Sequence, residues 1–259
     1  MISTNHIAAW AASHPWPTQQ QVEQDLLLSR AICAIADDPY LGEELTFRGG
    51  TAFHKLHVDT PYRYSEDLDY VRSSAGGIAQ LTRTLTELGA SLDFSVKTKI
   101  SKYPKVYWRT TAANGVPIRI KIEVNTHERS PALSPVRIHH AVVSDWWSGK
   151  SAVKTFDVAE LVATKIRALY QRSKGRDLFD LWLALTSVGV EADKILAAFE
   201  PYRPEGLTAK LAVANLREKV ADGTFRADLG PLVTAMPTAY SIESAAETVI
   251  DQLLDHLDA

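Results

Sequence analysis

The stretch LTFRGGTAFHKL (45–56), followed nine residues after Leu56 by SEDLDYV (65–71), constrains the fold of this chain more than any other feature. The segment LTF has the character of a short strand and runs straight into Gly49 and Gly50. TAFHKLH (51–57) then reads as a short helix and DLDYV (67–71) as a second strand. Glycines at a strand-to-helix turn let backbone N–H groups come close to an anion, and the helix N-terminus adds positive potential. On a strand, residues two apart point to one side, so Asp67 and Asp69 present two carboxylates together. Side by side they repel unless a cation neutralises them. Such oxygen ligation suits Mg²⁺, which keeps several waters and takes its remaining ligands from substrate phosphates; Mn²⁺ accepts the same donors. A D-x-D pair alone is common in surface turns, and its place beside a glycine turn is what favours a metal site.

The neighbouring segments supply a sheet for this pair. An amphipathic helix is expected over 19–37, and GIAQLTRTLTELGA (77–90) reads as a helix closed by Gly89. Strands are expected over 92–98, 105–111 and 117–125. The last alternates, with Ile118, Ile120, Ile122 and Val124 on one face and Arg119, Lys121, Glu123 and Asn125 on the other. Glu123 is therefore the natural third carboxylate of a two-metal site. After about residue 155 the pattern becomes helical. DVAELVATKIRALYQR (157–172) carries Asp157 as an N-cap, RDLFDLWLALTSVG (176–189) gives another helix, and the remainder, ending in ESAAETVIDQLLDHLDA, reads as helices too. The expected organisation is an α/β domain over 1–155, including the N-terminal helix, and a helical domain over 156–259. No solenoid repeat and no low-complexity tract interrupts it.

The helical half holds a second concentration of charge. ATKIRALYQRSKGRDLFDLW (163–182) contains Lys165, Arg167, Arg172, Lys174 and Arg176 in a chain whose net charge is -3. Wound as one continuous helix, Lys165, Arg172, Arg176 and Asp180 would share a face, although Gly175 is a natural interruption. Cations at this density hold a triphosphate or a nucleic-acid backbone. A solvated face with pairs such as Arg176 to Asp180 is the plainer reading of a charge run. Against it, the cations flank an apolar helix that should pack, and Asp177 and Asp180 lie inside the cluster. A carboxylate held among cations stays ionised, fit to act as a base or to position an attacking group.

Composition narrows the setting. At 259 residues, 46% hydrophobic and 23% charged, the chain has enough apolar surface for a real core and no apolar run that spans a bilayer. The first twenty residues lack a basic segment leading into an apolar one, so no secretory leader is expected. Cys33 is the only cysteine, which excludes an intrachain disulfide and a thiolate zinc cluster and fits a cytoplasmic location. A net charge of -3 argues against a uniformly basic nucleic-acid binder but leaves room for a local basic surface.

FRGGTAFHK, RYSEDLDY and ATKIRALYQRSKGRDLFD, in that order, closely resemble the AbiEii-like family of nucleotidyltransferase toxins, which includes the MenT-type toxins. The resemblance covers roughly residues 45–182, and no motif beyond it can be matched. It implies an α/β (α+β) polymerase-beta-like nucleotidyltransferase fold with a mixed sheet, followed by a C-terminal helical bundle that closes over the nucleotide. It implies Mg²⁺-dependent transfer of a nucleoside monophosphate from an NTP to an RNA acceptor such as a tRNA 3′ end. It also implies a toxin–antitoxin system with a cognate antitoxin protein. Carried over by position, Gly49, Gly50, Thr51 and Ser65 contact the triphosphate, and Asp67 and Asp69 hold the metal. Lys165 binds NTP phosphates with Arg172, Lys174 and Arg176 around it, and Asp180 is the distal catalytic carboxylate. Ser65 matches a position that is phosphorylated in some relatives, where a dianion beside Asp67 would block the NTP. Sixteen residues separate Gly50 from Asp67, longer than in most nucleotidyltransferases and closer to the AbiEii-like pattern.

Two other readings keep part of this picture. The acceptor could be an antibiotic or a protein hydroxyl, or the chain could be a catalytically silent RNA- or protein-binding module. On the first reading Asp67→Ala or Lys165→Ala abolishes transfer and leaves the fold largely intact; on the last, Asp67→Ala changes nothing. His54 with His57, and the adjacent His139 and His140, lack a third ligand at zinc spacing and read as structural or surface histidines. Trp146 and Trp147, and Tyr62, Arg63 and Tyr64, fit packing as well as they fit a nucleic-acid groove.

Overall fold

The computed structural model describes residues 2–100 and 103–258. The chain divides into two compact units, Met1–Phe156 and Asp157–Ala259.

The first unit begins with α1 (Thr4–Ala11) and α2 (Gln19–Asp37). Thr18 opens α2 through a capping box with Gln21, which satisfies two of the backbone groups that a helix start leaves unpaired. A short α3 (Leu41–Glu44) leads into β1 (Leu45–Arg48), α4 (Gly49–Leu56) and β2 (Asp67–Arg72). Then come α5 (Ala79–Ser91), β3 (Ser95–Lys99), β4 (Lys105–Thr111), β5 (Pro117–Asn125), β6 (Val136–Val142) and β7 (Gly149–Thr155). Gly89 lies within α5 and does not close it; the turn out of the helix falls on Asp93, in the left-handed region at φ 67°.

The described strands form one seven-stranded mixed sheet in the order β3-β4-β5-β2-β1-β7-β6. β2 runs parallel to β5 and antiparallel to β1, with Asp67 beside Lys121 and Asp69 between Arg48 and Glu123. The alternation over 117–125 is realised: Ile118, Ile120, Ile122 and Val124 are buried, level with Val106, Trp108 and Leu68 on the adjoining strands. α2 and α5 cover this apolar face, and Trp108 donates its indole N–H to the Leu85 carbonyl at 3.0 Å. The opposite face therefore carries Asp67, Asp69, Lys121 and Glu123.

The strands β6 and β7 have no counterpart among the strands expected from sequence. In VRIHHAV the polar His140 interrupts the face that Val136, Ile138 and Val142 share, and GKSAVKT mixes Gly, Lys and Ser with a single Val, so the apolar alternation is incomplete. Pairing with one another and with β1, together with α2 packed against β7, holds them in the sheet.

The second unit is helical: α6 (Val158–Gln171), α7 (Gly175–Leu183) extended by a π turn (Ala184–Val188), α8 (Ala192–Phe199), α9 (Ala209–Ala221), α10 (Gly223–Ala227) and α11 (Ile242–Gln252). Asp157 caps α6, accepting from the Ala159 N–H at 2.9 Å. Leu161, Ile166, Leu178, Phe179, Phe225 and Val249 are among its buried residues. The basic segment is not one helix. Arg172 is extended and α7 starts afresh at Gly175, where a Cβ would stand 2.4 Å from the Phe225 carbonyl oxygen. The single-face alignment of Lys165, Arg172, Arg176 and Asp180 is therefore replaced by a turn that folds α7 back beside α6. Ala259, the last residue of the C-terminal stretch, lies outside the described residues.

Candidate active site

The acidic pair stands where strand alternation requires, on the face of β2 away from Leu68. Lys121 Nζ lies 2.7 Å from Asp67 and 3.4 Å from Glu123, and Lys105 reaches Glu123 at 3.2 Å. Asp69 has its pKa raised, chiefly by burial and then by the charge of Asp67, with Glu123 adding to it and Lys121 and Arg48 opposing. Lys121 is shifted upward: burial works to lower it, but the hydrogen bond to Asp67 and the charges of Asp67, Asp69 and Glu123 prevail. Three carboxylates thus share one face and two lysines share the task of neutralising them.

The glycine turn closes on this cluster from β1. Gly49 sits at φ 80°, a conformation side chains disfavour, and a Cβ there would stand 2.7 Å from Asp69 Oδ2. Gly50 and Thr51 follow in the first turn of α4. Thr51 is buried; its hydroxyl donates to the Asp67 carbonyl at 2.5 Å and hydrogen-bonds Ser65 Oγ at 2.8 Å. That pair ties the start of α4 to the loop entering β2, so Gly49, Gly50, Thr51, Ser65, Asp67 and Asp69 form one continuous locus. Arg48, held by Glu128 at 2.9 Å, flanks it.

In the second unit, the turn between α6 and α7 puts Lys165 Nζ 2.8 Å from Asp180 and 3.4 Å from Asp177. Arg172 forks onto Asp177 with contacts of 2.7 and 2.8 Å. Burial pushes the Asp177 carboxyl up, yet Lys165 and then Arg172 outweigh it, and its pKa lies below the ordinary value. Lys174 and Arg176 are not part of this knot. They lie beside Asp228, at 3.3 and 3.9 Å, and Asp228 also accepts from the Arg176 backbone N–H.

Among the described residues no three His, Cys, Asp or Glu side chains are arranged to hold a metal unaided. Asp67 and Asp69 nevertheless fit Mg²⁺, which commonly takes one or two carboxylates and completes its shell with water and phosphate. The donors are hard oxygens, Asp69 carries the cost of like charges around it, and the missing side chain at Gly49 lets the backbone come close to the Asp69 carboxylate.

Some residues around this locus escaped the sequence reading. Lys121 was visible on the polar face of its strand but unassigned, and Lys105 joins only because β4 pairs with β5. Thr51 and Ser65 also line a cavity of about 450 Å³ with Trp16, His54, Lys55 and His140. Asp25 lines it too and, itself buried, forms an ion pair with Lys55 at 2.6 Å. Burial and the neighbouring Lys55 charge lower the pKa of both His14 and His140 to about 4. No sequence spacing announces this group, because α1, α2, α4 and β6 each bring part of it.

A mixed sheet thus sets paired aspartates on β2 against a Gly-Gly turn that leads from β1 into a helix. Residues 30–251 match the family described as nucleotidyl transferase AbiEii toxin of type IV toxin–antitoxin systems, and the chain belongs to that family. The match runs well past residue 182, over helices in which no motif had been matched. Among solved structures the chain is similar to MenT4, a nucleotidyltransferase toxin from Mycobacterium tuberculosis H37Rv. The TM-score is 0.70 at 19% identity, covering 100% of this chain and 91% of that one, which is a likeness of fold. It also aligns with an antigenic nucleotidyltransferase-like protein from Paracoccidioides brasiliensis, at TM-score 0.44 and 19% identity over 74% of this chain and 88% of that one. No curated protein matches in sequence. Family membership implies an NTP substrate and an antitoxin partner. No helix among the described residues is long and apolar enough to cross a membrane.

Proposed function

We propose that this nucleotidyltransferase moves a nucleoside monophosphate from an NTP to an RNA acceptor, the 3′ end of a tRNA, and acts thereby as a toxin restrained by a cognate antitoxin. The observation that carries the reading is the approach of Gly49 to Asp69: backbone meets carboxylate so closely that a Cβ would stand 2.7 Å from Oδ2. Backbone donors beside paired acids suit a phosphate chain carrying its own cation.

Asp67 and Asp69 would hold Mg²⁺ or Mn²⁺, with Glu123 as a third donor once Lys105 and Lys121 release it. When bound, the cation neutralises charge on the phosphates and acidifies the attacking hydroxyl. The backbone at Gly49, Gly50 and Thr51 and the Ser65 hydroxyl would bind the triphosphate, and Thr51 keeps the two segments in register. Lys165 would bind NTP phosphates, with Arg172, Lys174 and Arg176 adding positive field, and Asp180 would orient Lys165 as the distal carboxylate. The acceptor hydroxyl forms the new bond to the α-phosphorus as the bond to pyrophosphate breaks.

The test is transfer from each of the four NTPs, radiolabelled at the α-phosphate, to purified tRNA, resolved by length at the 3′ end. Extension of tRNA by one or more nucleotides is expected. Label appearing only on an aminoglycoside or a protein would replace the acceptor, and label appearing nowhere would remove the proposal.

A further inference from the structure

The open face of β3, β4 and β5 carries a patterned set of side chains that the nucleotide site does not use. Strand register orders them in rows that lead to the acidic pair. One row runs Lys99, Lys105, Glu123, Asp69; the next runs Lys97, Tyr107, Lys121, Asp67; a third places Arg109 beside Arg119. Arg109 and Arg119 both lie over the Tyr107 ring, 6.0 and 5.4 Å from its centroid. Among the described residues, Lys97, Lys99, Arg109 and Arg119 form no ion pair with a carboxylate, and all four are exposed. The two arginines also wall a cavity of about 470 Å³ with Gln20, Gln24, Thr110 and the single acid Glu66.

We propose that this face is the track for the acceptor: a single-stranded RNA end whose phosphates lie on Lys97, Lys99, Arg109 and Arg119 and one of whose bases stacks on Tyr107. The proposal rests on the RNA-acceptor reading above and names the surface that serves it. Lysines on an edge strand also discourage edge-to-edge pairing, and that accounts for Lys97 and Lys99. It does not account for Arg109 and Arg119, which stand on interior strands without counterions in a chain of net charge -3. Unpaired cations close together repel, so a polyanion is the partner that relieves them. An acidic peptide would satisfy the charges, but an aromatic ring framed by guanidinium groups is a platform for bases. With strands about 4.8 Å apart, Lys97 lies roughly 14 Å from Asp67 across the sheet, the reach of a short single-stranded tail.

The experiment measures fluorescence anisotropy of a short fluorescein-labelled single-stranded RNA with the full chain over a range of salt. Wild type is expected to bind, with affinity falling steeply as salt rises. Arg109→Glu/Arg119→Glu should weaken binding roughly a hundredfold at low salt and flatten the salt slope by about two. Tyr107→Ala should weaken it roughly tenfold with the slope unchanged. Lys210→Glu/Arg217→Glu, with the same charge change on exposed positions of α9, should leave it nearly unaltered. If charge reversal prevents folding, Arg109→Gln/Arg119→Gln carries the same prediction at smaller size. The track is overturned if wild type fails to bind, if the α9 control weakens binding equally, or if a polyglutamate peptide displaces the RNA as well as unlabelled RNA does. Transfer assays on the same proteins separate the two ideas. Transfer with an unaltered RNA KM in the arginine variants sinks the track alone. Absence of transfer to RNA in wild type sinks the acceptor reading, while the binding titration still decides the track.

Discussion

The two charged clusters differ in how they are built. On the sheet, Asp67 has a side chain 38% exposed, and its lysine partner comes from a neighbouring strand and is itself part-exposed. In the helical unit, Lys165 is 9% exposed while Asp177 and Asp180 are at 0% and 1%. An exposed pair contributes little to stability and can exchange partners, whereas removing one member of a buried group strands the other charges in a poor solvent. The sheet cluster is therefore suited to handing its carboxylates to a ligand. The helical knot holds its own unit together and lends function only what that leaves over.

The sharpest break in this comparison comes from pairing two variants. Asp67→Ala should reduce transfer by roughly a thousandfold or more, the scale of losing a principal charge-stabilising group, with almost no change in Tm. Lys165→Ala should also lose transfer, but it should cost about 3–5 kcal/mol of stability as well, because Asp177 and Asp180 remain buried. That revises the expectation of a largely intact fold for Lys165→Ala. Equal melting curves for the two variants would erase the distinction. Adding Asp180→Asn to Lys165→Ala should recover part of the loss.

Acid should then divide the regions by pH. His140 is held at about 4 against an ordinary 6.5, so the unfolded chain takes up protons that the folded chain refuses. Stability should fall as pH drops from about 6.5 to about 4, by roughly 3 kcal/mol for His140, with His14 acting in the same direction. Asp177 has a lowered pKa, so its contribution is present above the ordinary Asp value and is lost only as pH falls further, through the folded value. Thermal melts across this range should show the histidine step first, and His140→Leu should flatten it. A flat profile between pH 7 and 4 would contradict the burial argument. A smaller effect on folding than that of Lys165→Ala belongs to Gly49→Ala. Its positive φ alone costs roughly 1–2 kcal/mol, while the contact with Asp69 should make the loss of NTP binding larger than the loss of stability. Calorimetric titration with NTP and Mg²⁺ measures the one and thermal denaturation the other.

Much of the framework could be read from local pattern. The helix over 19–37 and the strands over 105–111 and 117–125 lie where periodicity put them, since each has one face dictated by water and the other by a core. Gly49, Asp67 and Asp69 were likewise visible, because their chemistry is unusual enough to stand out within a few residues. The strands β6 and β7 were missed because their stability comes from pairing with distant partners and scarcely from their own composition. The interruption at Gly175 was legible, but its cause was not: that glycine answers to Phe225, fifty residues further on.

By itself, then, the order of residues determined which strand would carry paired acids, which turn would need glycines, and where the helical half would begin. Those choices obey rules that act over one turn or one strand. Only the tertiary structure decided that Lys121 and Lys105 would counter the acids, that Lys165 would be buried against Asp177 and Asp180, and that Arg109 and Arg119 would converge on Tyr107. Each of these depends on strand register or on the packing of one helix against another, and Coulomb forces and desolvation take their size from the resulting distance in space.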